Sequence, residues 1–463
     1  MSSASRSFLA HLKPAPGMAS SVKPGELAVV VGAGASGAAA TRLLYALGAR
    51  VRLVDRDSVS ADLHTELDAL GTEIICGPHG PEQFAGASLV VTSPGVPLSV
   101  LEPFVREAGG APLIAEMELA LRYVREPILA VTGTSGKTTT VSLAAAMLEA
   151  AGKKVFLGGN IGTPLSDYVL RAAQDVQSRA DVLVLEMSSF QLQGSEHLHP
   201  RVAVLLNLTP NHLDHHKDMA EYSAAKFRIF ALQDEGDLAL LPEGAESLAE
   251  EYHRRGCKGR LLAFAPSGRF AGSSRLLGKH NMANAEAAYL ACHPFGVSES
   301  EANTAVAAFA PLEHRLEPIR EVDGVLYVND TKSTTVDSMR VALESFDAPV
   351  LLLAGGKFKG GDLEPLRPLL RDTVKAVGLF GASREIFEAA WQGVVPMTWD
   401  PDLPSAIARL REIARSGDVV LLSPATSSFD LYENYKARGE HFRRLVLELR
   451  ETVPVTPNTG ARP

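Results

Sequence analysis

The segment LAVTGTSGKTTTVSLAAAML, residues 129–148, joins an apolar strand, a glycine-rich turn and an alanine-rich helix without interruption. The same order occurs earlier in LAVVVGAGASGAAATRLLYALGARVRLVDRD, where a further strand follows the helix. Units of this kind support parallel sheets, because a crossover helix is needed to bring the next strand back in the same direction. Short Val/Leu/Ile runs alternate with helical stretches along the chain, so the sequence predicts an α/β fold with parallel sheets throughout.

The length of the chain indicates several domains. With roughly 150 residues per domain as a guide, 463 residues correspond to about three. A hydrophobic content of 46% with 21% charged residues is ordinary for a globular protein. Composition shifts and turns place a flexible tail at 1–24, domains at 25–115, 116–311 and 312–453, and a second flexible tail at 454–463.

Charge and cysteine usage exclude several classes of protein. A net charge of −9 and a pI near 5.8 argue against a nucleic-acid-binding protein. The cysteines Cys76, Cys257 and Cys292 are widely spaced, which fits a reducing compartment better than a disulfide framework. No apolar run reaches the ~20 residues that span a bilayer, and no signal-peptide core is present. We therefore expect a cytoplasmic location, with neither a membrane nor a nucleic acid as partner.

The loop Gly133-Thr134-Ser135-Gly136-Lys137-Thr138 has the composition of a phosphate-binding loop. Glycines let backbone N–H groups converge on a phosphate, and the helix N-terminus adds positive potential. Its first glycine comes later than in the general P-loop pattern. Lys137 would reach the β/γ-phosphates and Thr138 would bind magnesium; an ordinary Gly/Thr turn is the alternative. Glu186, at the end of the strand DVLVLE, could complete the magnesium shell or simply cap a helix.

The first domain carries a second glycine-rich turn, Gly32-Ala33-Gly34-Ala35-Ser36-Gly37. It matches G-x-G-x-x-G after a strand, and Asp55 lies at the end of the next strand, as in dinucleotide sites. An NAD-dependent dehydrogenase is the natural rival hypothesis. A tight turn that needs small residues only for packing is the other alternative. The local pattern predicts only that a diphosphate can rest on this helix N-terminus.

The segment NLTPNHLDHHKD contains His212, His215 and His216. A structural zinc site is disfavoured because no cysteine accompanies the histidines, so a magnesium or nucleotide site is the preferred role for one of them. Farther along, Lys226 would by itself be interpreted as a solvated helix lysine paired with a surface acid such as Glu221.

Three loops of the last domain combine charge and glycine at strand ends: NDTKSTT (329–335), GGKFKGGDL (355–363) and SPATSSFDLYENYKARG (423–439). Open α/β sheets bind ligands beyond the carboxyl ends of their strands. Together the loops favour a small anionic substrate, although the last segment could equally be a capped amphipathic helix.

In this order the motifs resemble the Mur ligase family. The phosphate loop GTSGKTT is followed by GGNIG, LEMSSFQL, NHLDHH, the Lys226 helix, GKHNMANAEAA, EHR, NDTKST and GGKFKGGD. The resemblance covers the chain after its N-terminal tail. It implies a Rossmann-like N-terminal domain, a central P-loop ATPase-type domain with a parallel sheet, and a Rossmann-like C-terminal domain. SPGVP, SSFQL and the segment from residue 423 onward resemble the member that adds D-glutamate.

The resemblance also implies roles for individual residues. Catalysis would involve Lys137, Glu186, His212 and Lys226. ATP would be bound by Gly133, Thr134, Ser135, Gly136, Lys137, Thr138, Thr139, Asn160, Asn281, Asn284, Arg315, Asp330 and Lys332. The UDP-linked substrate would be bound by Gly34, Ala35, Ser36, Gly37, Asp55, Arg56, Ser93 and Asn160. D-glutamate would be bound by Thr334, Lys359, Ser428, Phe429 and Tyr435. Metal ligands would be Thr138, Glu186, His212 and Lys226, the last as a carbamate.

The implied activity is an ATP-dependent amide ligase of peptidoglycan synthesis. It would join D-glutamate to UDP-N-acetylmuramoyl-L-alanine through an acyl phosphate, with two Mg²⁺ ions, a carbamylated lysine and a monomeric chain. Thr335, Asn211 and Tyr435 depart from the residues usual in the family, which leaves the shape of the substrate pocket open. A ligase for a different amino acid, a dehydrogenase and a nucleotide-gated regulatory protein are the alternatives.

Overall fold

The computed structural model describes residues 12–94, 96–210, 216–270 and 276–451. They form two compact units, the first from 12–270 with 283–307 and the second from 276–282 with 308–451. His212 and His215, together with 1–11 and the predicted tail 454–463, lie outside the described residues. Among the residues described, no helix is both long and apolar enough to cross a membrane.

The first sheet of the first unit has five parallel strands in the order β3-β2-β1-β4-β5. Because the switch in strand order lies beside β1, the loops after β1 and β4 share the carboxyl edge of the sheet. The strands are β1 (Leu27–Val31), β2 (Arg50–Asp55), β3 (Glu73–Cys76), β4 (Leu89–Thr92) and β5 (Leu113–Ala115). The helices are α1 (Ala35–Ala46), α2 (Ala61–Asp68), α3 (Leu98–Glu107) and α4 (Glu116–Leu121).

The second sheet has six parallel strands in the order β11-β10-β9-β6-β8-β7. Its strands are β6 (Ile128–Thr132), β7 (Val155–Gly159), β8 (Val182–Glu186), β9 (Val202–Leu205), β10 (Leu238–Pro242) and β11 (Arg260–Phe264). The helices that follow are α5 (Lys137–Ala150), α6 (Leu165–Gln174), α7 (Ser189–Gln193), α8 (Met219–Phe227), α9 (Glu246–Arg254), α10 (Lys279–Cys292) and α11 (Glu299–Ala308). Strands β6 and β8 are central and fully buried, as their Val/Leu composition predicts.

The two sheets of the first unit share one hydrophobic core, which includes Leu43 of α1 and Tyr168 of α6. Arg42 of α1 also contacts Asp167 of α6 at 3.1 Å. Residues 12–24, predicted to belong to a flexible tail, contribute the buried side chains Leu12 and Val22 to this core. The predicted domain boundaries themselves stay predictions.

The sheet of the second unit has the order β12-β13-β17-β14-β15-β16. Apolar cores cover both of its faces. Its strands are β12 (Glu317–Val322), β13 (Val325–Asn329), β14 (Val350–Gly355), β15 (Val374–Phe380), β16 (Met397–Asp400) and β17 (Val419–Leu422). Its helices are α12 (Val336–Leu343), α13 (Arg367–Thr373), α14 (Arg384–Trp391), α15 (Leu403–Ile413) and α16 (Tyr435–Glu448).

The prediction of parallel strands throughout is wrong at β12, which pairs antiparallel with β13. The connection is the two-residue loop Asp323-Gly324, in which both residues have positive φ, 53° and 76°. An Asp-Gly pair with this backbone is typical of a tight β-hairpin, because its twist matches that of the strands. The sequence VDGV therefore carried a hairpin signal that the alternation of strands and helices obscured.

Candidate active site

The phosphate loop follows β6 and leads directly into α5. Gly133 and Gly136 have φ of 153° and 83°, values that side chains other than glycine rarely adopt. A Cβ atom at Gly136 would lie 2.6 Å from Oδ1 of Asn284, which places Asn284 beside the loop. Among the described side chains none caps the N-terminus of α5. The turn therefore has the strand–glycine–helix geometry that suits a phosphate.

Lys137 begins α5 and folds back over the loop. Its Nζ donates hydrogen bonds to the carbonyl oxygens of Gly133 and Thr134, both at 2.8 Å. Thr138 and Thr139 follow in the first turn of the helix, half-buried and buried respectively. An ammonium group at this point can turn from the loop carbonyls to a phosphate without a change in the backbone.

Asn207, a residue that was not predicted from the sequence, holds the loop in place. Its Oδ1 accepts hydrogen bonds from the backbone N–H groups of Thr134 at 3.0 Å and Ser135 at 2.9 Å, and its Nδ2 donates to the carbonyl of Ser135. Asn207 follows β9, the strand next to β6. A polar residue just beyond the carboxyl end of a neighbouring strand was the available signal.

Glu186 ends β8, on the other side of β6, and is 2% exposed. Its Oε1 accepts a hydrogen bond from Nδ2 of Asn160 at 2.9 Å. Within the described part of the chain, Oε2 is buried without a hydrogen-bond partner. The alternative that Glu186 caps a helix is wrong, because Ser188 caps α7 in a capping box with Gln191. A buried carboxylate oxygen without a partner is costly unless a cation meets it.

Lys226 projects from α8 into the protein interior and is 2% exposed. Its Nζ lies 2.8 Å from the carbonyl oxygen of Gly133 and 3.4 Å from Oγ1 of Thr132. Burial, together with the charge of Lys137, lowers the pKa of Lys226 to about 6, against a smaller opposing effect of Glu186. The interpretation as a solvated lysine paired with Glu221 is therefore wrong. Glu221 instead accepts from the Lys217 backbone N–H and from Gln193.

His216 is the described member of the histidine cluster. It is buried, its Nε2 lies 2.9 Å from Oγ of Ser189, and its ring stacks on Phe190 with centroids 5.3 Å apart. The predicted metal ligand His212 lies outside the described residues.

The glycine turn after β1 is closely packed. A Cβ atom at Gly37 would lie 1.7 Å from the carbonyl oxygen of Gly32, so no other residue fits there. The carboxylate of Asp55 accepts hydrogen bonds from the N–H groups of Ala33 at 2.5 Å and Asp57 at 2.9 Å. The hydroxyl of Ser93 donates a hydrogen bond to the Gly32 carbonyl oxygen at 3.2 Å. Gly34 and Ala35 are exposed and Ser36 is half-buried at the start of α1. Arg56, the first residue after β2, is also exposed.

Asp330 is the buried acid among the predicted nucleotide residues of the second unit. The carboxylate accepts hydrogen bonds from the N–H of Leu316 at 3.1 Å and from Oγ of Ser423 at 2.9 Å. Burial raises its pKa to about 7, although these hydrogen bonds and Arg315 oppose the shift. Asn281, in the α10 segment of this unit, donates to the carbonyl of Leu277 at 2.7 Å.

The predicted amino-acid pocket contains exposed and buried side chains. Lys359 is exposed, with its Nζ 5.9 Å from the centroid of the Phe429 ring, which is also exposed. Ser428 is buried and Thr334 is half-buried. The hydroxyl of Tyr435 accepts a hydrogen bond from Nζ of Lys332 at 2.9 Å. This bond joins a residue predicted for the amino acid to one predicted for the nucleotide.

Comparison with known proteins covers all three sheets. Residues 26–113 match the family described as Mur ligase MurD-like, N-terminal domain. Residues 131–258 match the Mur ligase middle domain, and residues 314–426 match the Mur ligase, glutamate ligase domain. The chain belongs to the Mur ligase family. Its fold is the three-domain α/β fold of that family.

Relatives within the Mur ligase family are similar over nearly their whole length. The UDP-N-acetylmuramoylalanine–D-glutamate ligase of Oleidesulfovibrio alaskensis is 60% identical over 430 residues, covering 92% of this chain and 95% of the relative. The enzyme of the same name from Lawsonia intracellularis is 50% identical over 423 residues, covering 91% and 94%.

Solved Mur ligase structures share the fold at low sequence identity. A MurF ligase from Thermotoga maritima in complex with ADP has a TM-score of 0.56 at 20% identity, covering 92% of this chain and 94% of that one. The UDP-N-acetylmuramate–alanine ligase MurC from the same organism has a TM-score of 0.55 at 15% identity, covering 91% and 99%. Similarity at this level establishes the fold of a Mur ligase but does not identify individual site residues.

Proposed function

We propose that this Mur ligase joins D-glutamate to UDP-N-acetylmuramoyl-L-alanine with hydrolysis of ATP. One observation carries the proposal: Lys226 and Lys137 both donate to the carbonyl oxygen of Gly133, at the sheet edge where Oε2 of Glu186 is buried without a hydrogen-bond partner among the described residues. A structural turn has no need of two lysines and a buried acid. The D-glutamate ligases that are 50% and 60% identical to this chain support the choice of substrates.

The reaction needs ATP because a carboxylate has a poor leaving group. Its oxygen attacks the γ-phosphorus, ADP leaves, and an acyl phosphate forms on the alanyl group. The amine of D-glutamate then attacks the acyl carbon, so that a C–N bond replaces the C–O bond, a proton is lost from nitrogen, and inorganic phosphate leaves. Protein catalysis of phosphoryl transfer consists mainly of positioning and charge stabilisation. Lys137 supplies positive charge at the phosphates, and the N–H groups at the start of α5 orient them.

The oxygen-rich surroundings of the loop suit Mg²⁺, which the activity requires. Magnesium prefers carboxylate, hydroxyl and water oxygens. Glu186 offers the buried Oε2, and Thr138 offers a hydroxyl in the first turn of α5. We assign Glu186, Thr138, His212 and a modified Lys226 as ligands of two ions. When bound, the ions would stabilise negative charge on the transferred phosphoryl group.

Lys226 would serve as a ligand only after modification. An ammonium group repels a cation, whereas a neutral amine reacts with carbon dioxide to give a carbamate and a proton, converting the side chain into an anionic oxygen donor. Burial and the nearby charge of Lys137 hold Lys226 in the neutral form that this reaction requires. We therefore propose a carbamate at Lys226.

Substrate binding would be divided among the sheets. The uridine diphosphate would be bound by Gly34–Gly37, Asp55, Arg56 and Ser93. Asp55 also stabilises the turn by accepting a hydrogen bond from the Ala33 N–H. ATP would be bound by Asn160, Asn281, Asn284, Arg315, Asp330 and Lys332. D-glutamate would be bound by Thr334, Lys359, Ser428, Phe429 and Tyr435. These groups lie on one chain and the reaction consumes ATP, so we propose a monomer that acts in the cytoplasm.

The decisive experiment measures phosphate release from ATP. Release should require both UDP-N-acetylmuramoyl-L-alanine and D-glutamate, and mass spectrometry should detect the amide. Matched reactions replace D-glutamate with L-glutamate, L-alanine or a diamino acid; activity with only one of these would assign a different amino acid. Saturable NAD binding with hydride transfer would instead favour the dehydrogenase. ATP hydrolysis independent of both substrates would favour the regulatory protein.

A further inference from the structure

A completely buried arginine, Arg438 of α16, joins three loops of the second unit. We define loop L1 as 330–335 after β13, loop L2 as 356–363 after β14, and loop L3 as 423–434 after β17. Their predicted ligands of the amino acid are Thr334 in L1, Lys359 in L2, and Ser428 with Phe429 in L3. Arg438 itself is 0% exposed and is not one of these ligands.

The guanidinium group bonds to residues of L1 and L3 and to Gly355, the last residue of β14 directly before L2. Its acceptors are backbone carbonyls and threonine hydroxyls, namely Thr331 Oγ1 (2.9 Å) and O (3.1 Å), Thr426 O (3.1 Å) and Oγ1 (3.4 Å), Gly355 O (3.3 Å) and Ser427 O (3.5 Å). The loops also bond to one another, through Ala425 N–H to Ser333 O at 2.9 Å and a reciprocal pair of backbone bonds between Lys357 and Ser427. Arg438 lies where these connections meet.

Within the described ranges, the partners of the Arg438 guanidinium are neutral oxygen atoms rather than a carboxylate. The charge of Asp430, in L3, acts on the guanidinium and raises its pKa, but among the described residues no carboxylate forms an ion pair with Arg438. Burial lowers the pKa of Arg438 only to about 10, so the group is a cation at neutral pH. A buried charge is costly, and an apolar side chain would pack the same space at lower cost. The planar fork, however, reaches acceptors in several directions at once, which no apolar side chain and no lysine can do.

We propose that Arg438 is a positioning residue that sets the spacing of L1, L2 and L3 and thereby shapes the amino-acid pocket. Each acceptor is close in sequence to a predicted ligand: Thr331 precedes Thr334 by three residues, and Ser427 adjoins Ser428. Asp330 and Lys332, the residues of L1 predicted for ATP, have support of their own. Leu316 and Ser423 donate to Asp330, and the Lys332 N–H donates to the carbonyl oxygen of His314. Loss of Arg438 should therefore affect the amino acid far more than ATP. This inference rests on the proposed ligase function.

The test is Arg438→Lys, which keeps the charge but concentrates the donors on one nitrogen. We expect KM for D-glutamate to rise between about ten- and a hundredfold, with little change in KM for ATP. Formation of the acyl phosphate without D-glutamate, trapped by borohydride reduction, should continue. Arg409→Lys is the matched control, because Arg409 is an exposed arginine of α15 that forms a bidentate pair with Asp400 of β16. Its kinetics should equal those of the wild type.

An unchanged KM for D-glutamate, or a loss confined to kcat or to thermal stability, would overturn the inference. If Arg438→Lys does not fold, Thr331→Val decides, since it removes the acceptor of Nε with little change in volume. It should raise the same KM by a smaller factor, and an unchanged value would likewise overturn the inference. Failure of this inference can be distinguished from failure of the proposed function. The proposed function is wrong if the wild-type protein forms no amide with D-glutamate, whereas the inference alone is wrong if the wild type forms the amide and the variants keep the same KM.

Discussion

Lys226 and Lys137 donate hydrogen bonds to the same atom, the carbonyl oxygen of Gly133, each at 2.8 Å. Their nitrogen atoms cannot be farther apart than twice that distance. Two ammonium groups so close in a buried site repel each other, and burial adds to the cost of the second charge. Burial, with the charge of Lys137 as the second cause, lowers the pKa of Lys226 to about 6, so Lys226 is neutral at pH 7.

Substitution of Lys226 tests the carbamate directly. Lys226→Ala should lower kcat by roughly a hundredfold or more, because the proposed metal ligand and its charge would be lost. Formate or acetate should restore part of the activity by occupying the vacated anionic position. Lys226→Arg should stay inactive, since it cannot form the carbamate. The exposed Lys217 provides the control as Lys217→Ala. Full activity of Lys226→Arg would contradict the modification.

Lys137→Ala should abolish ligation while binding of the UDP-linked substrate stays nearly intact. The lysine belongs to the loop after β6, whereas the glycine turn assigned to the diphosphate follows β1. Steady-state assays measure the first effect and calorimetry the second. The exposed Lys258 serves as the control for a lost lysine. If the folded variant lost both ligation and binding of the UDP-linked substrate, the assignment of ATP and the UDP-linked substrate to separate sites would be wrong.

Lys359→Ala should raise KM for D-glutamate roughly tenfold or more, because an exposed ammonium at a strand-end loop would pair with a carboxylate of the substrate. KM for ATP should stay the same. Lys357→Ala is a close control, since Lys357 is exposed in the same segment. If both substitutions raised KM for D-glutamate equally, binding would depend on the total charge of the loop and not on Lys359 in particular.

The glycine turn of the first sheet can be tested by stability rather than activity. Gly37→Ala should destabilise this sheet, because the added Cβ would lie 1.7 Å from the carbonyl oxygen of Gly32. Gly34→Ala should be tolerated, since no atom lies within 4 Å of its added Cβ. Hydrogen exchange of 27–57 compares the two variants. Equal protection in both would contradict the packing argument.

Asp330 should make the stability of the second unit depend on pH. Its pKa is about 7 in the folded chain against 3.8 as the ordinary value, so the folded state holds a proton that the unfolded state has lost. Stability should therefore fall as pH rises from about 4 to about 7. Asp330→Asn should remove much of this decline, whereas the exposed control Asp372→Asn should keep it.

Tryptophan fluorescence provides the measurement for Asp330. Both tryptophans of the chain, Trp391 and Trp399, belong to the second unit, so thermal scans followed by their emission report that unit alone. Parallel pH profiles for the wild type and Asp330→Asn would contradict the raised pKa.

Several features of this protein were predictable from the sequence because they depend on neighbouring residues. The strands before Gly32 and Gly133, the turns and the following helices are local patterns, and the order of motifs indicates the family. The hairpin at Asp323-Gly324 was also encoded locally. The prediction failed there because the general alternation of strands and helices was given more weight than the turn residues.

Only the tertiary structure decided the environments of individual side chains. Lys226 has the sequence of a surface helix lysine, yet it is buried because α8 packs its side chain against Thr132 and Gly133. Arg438 contacts Thr331, 107 positions earlier in the chain. Sheet topology brings such residues together, and burial then determines their charge, because desolvation depends on every neighbour that excludes water. Local sequence contains neither kind of information.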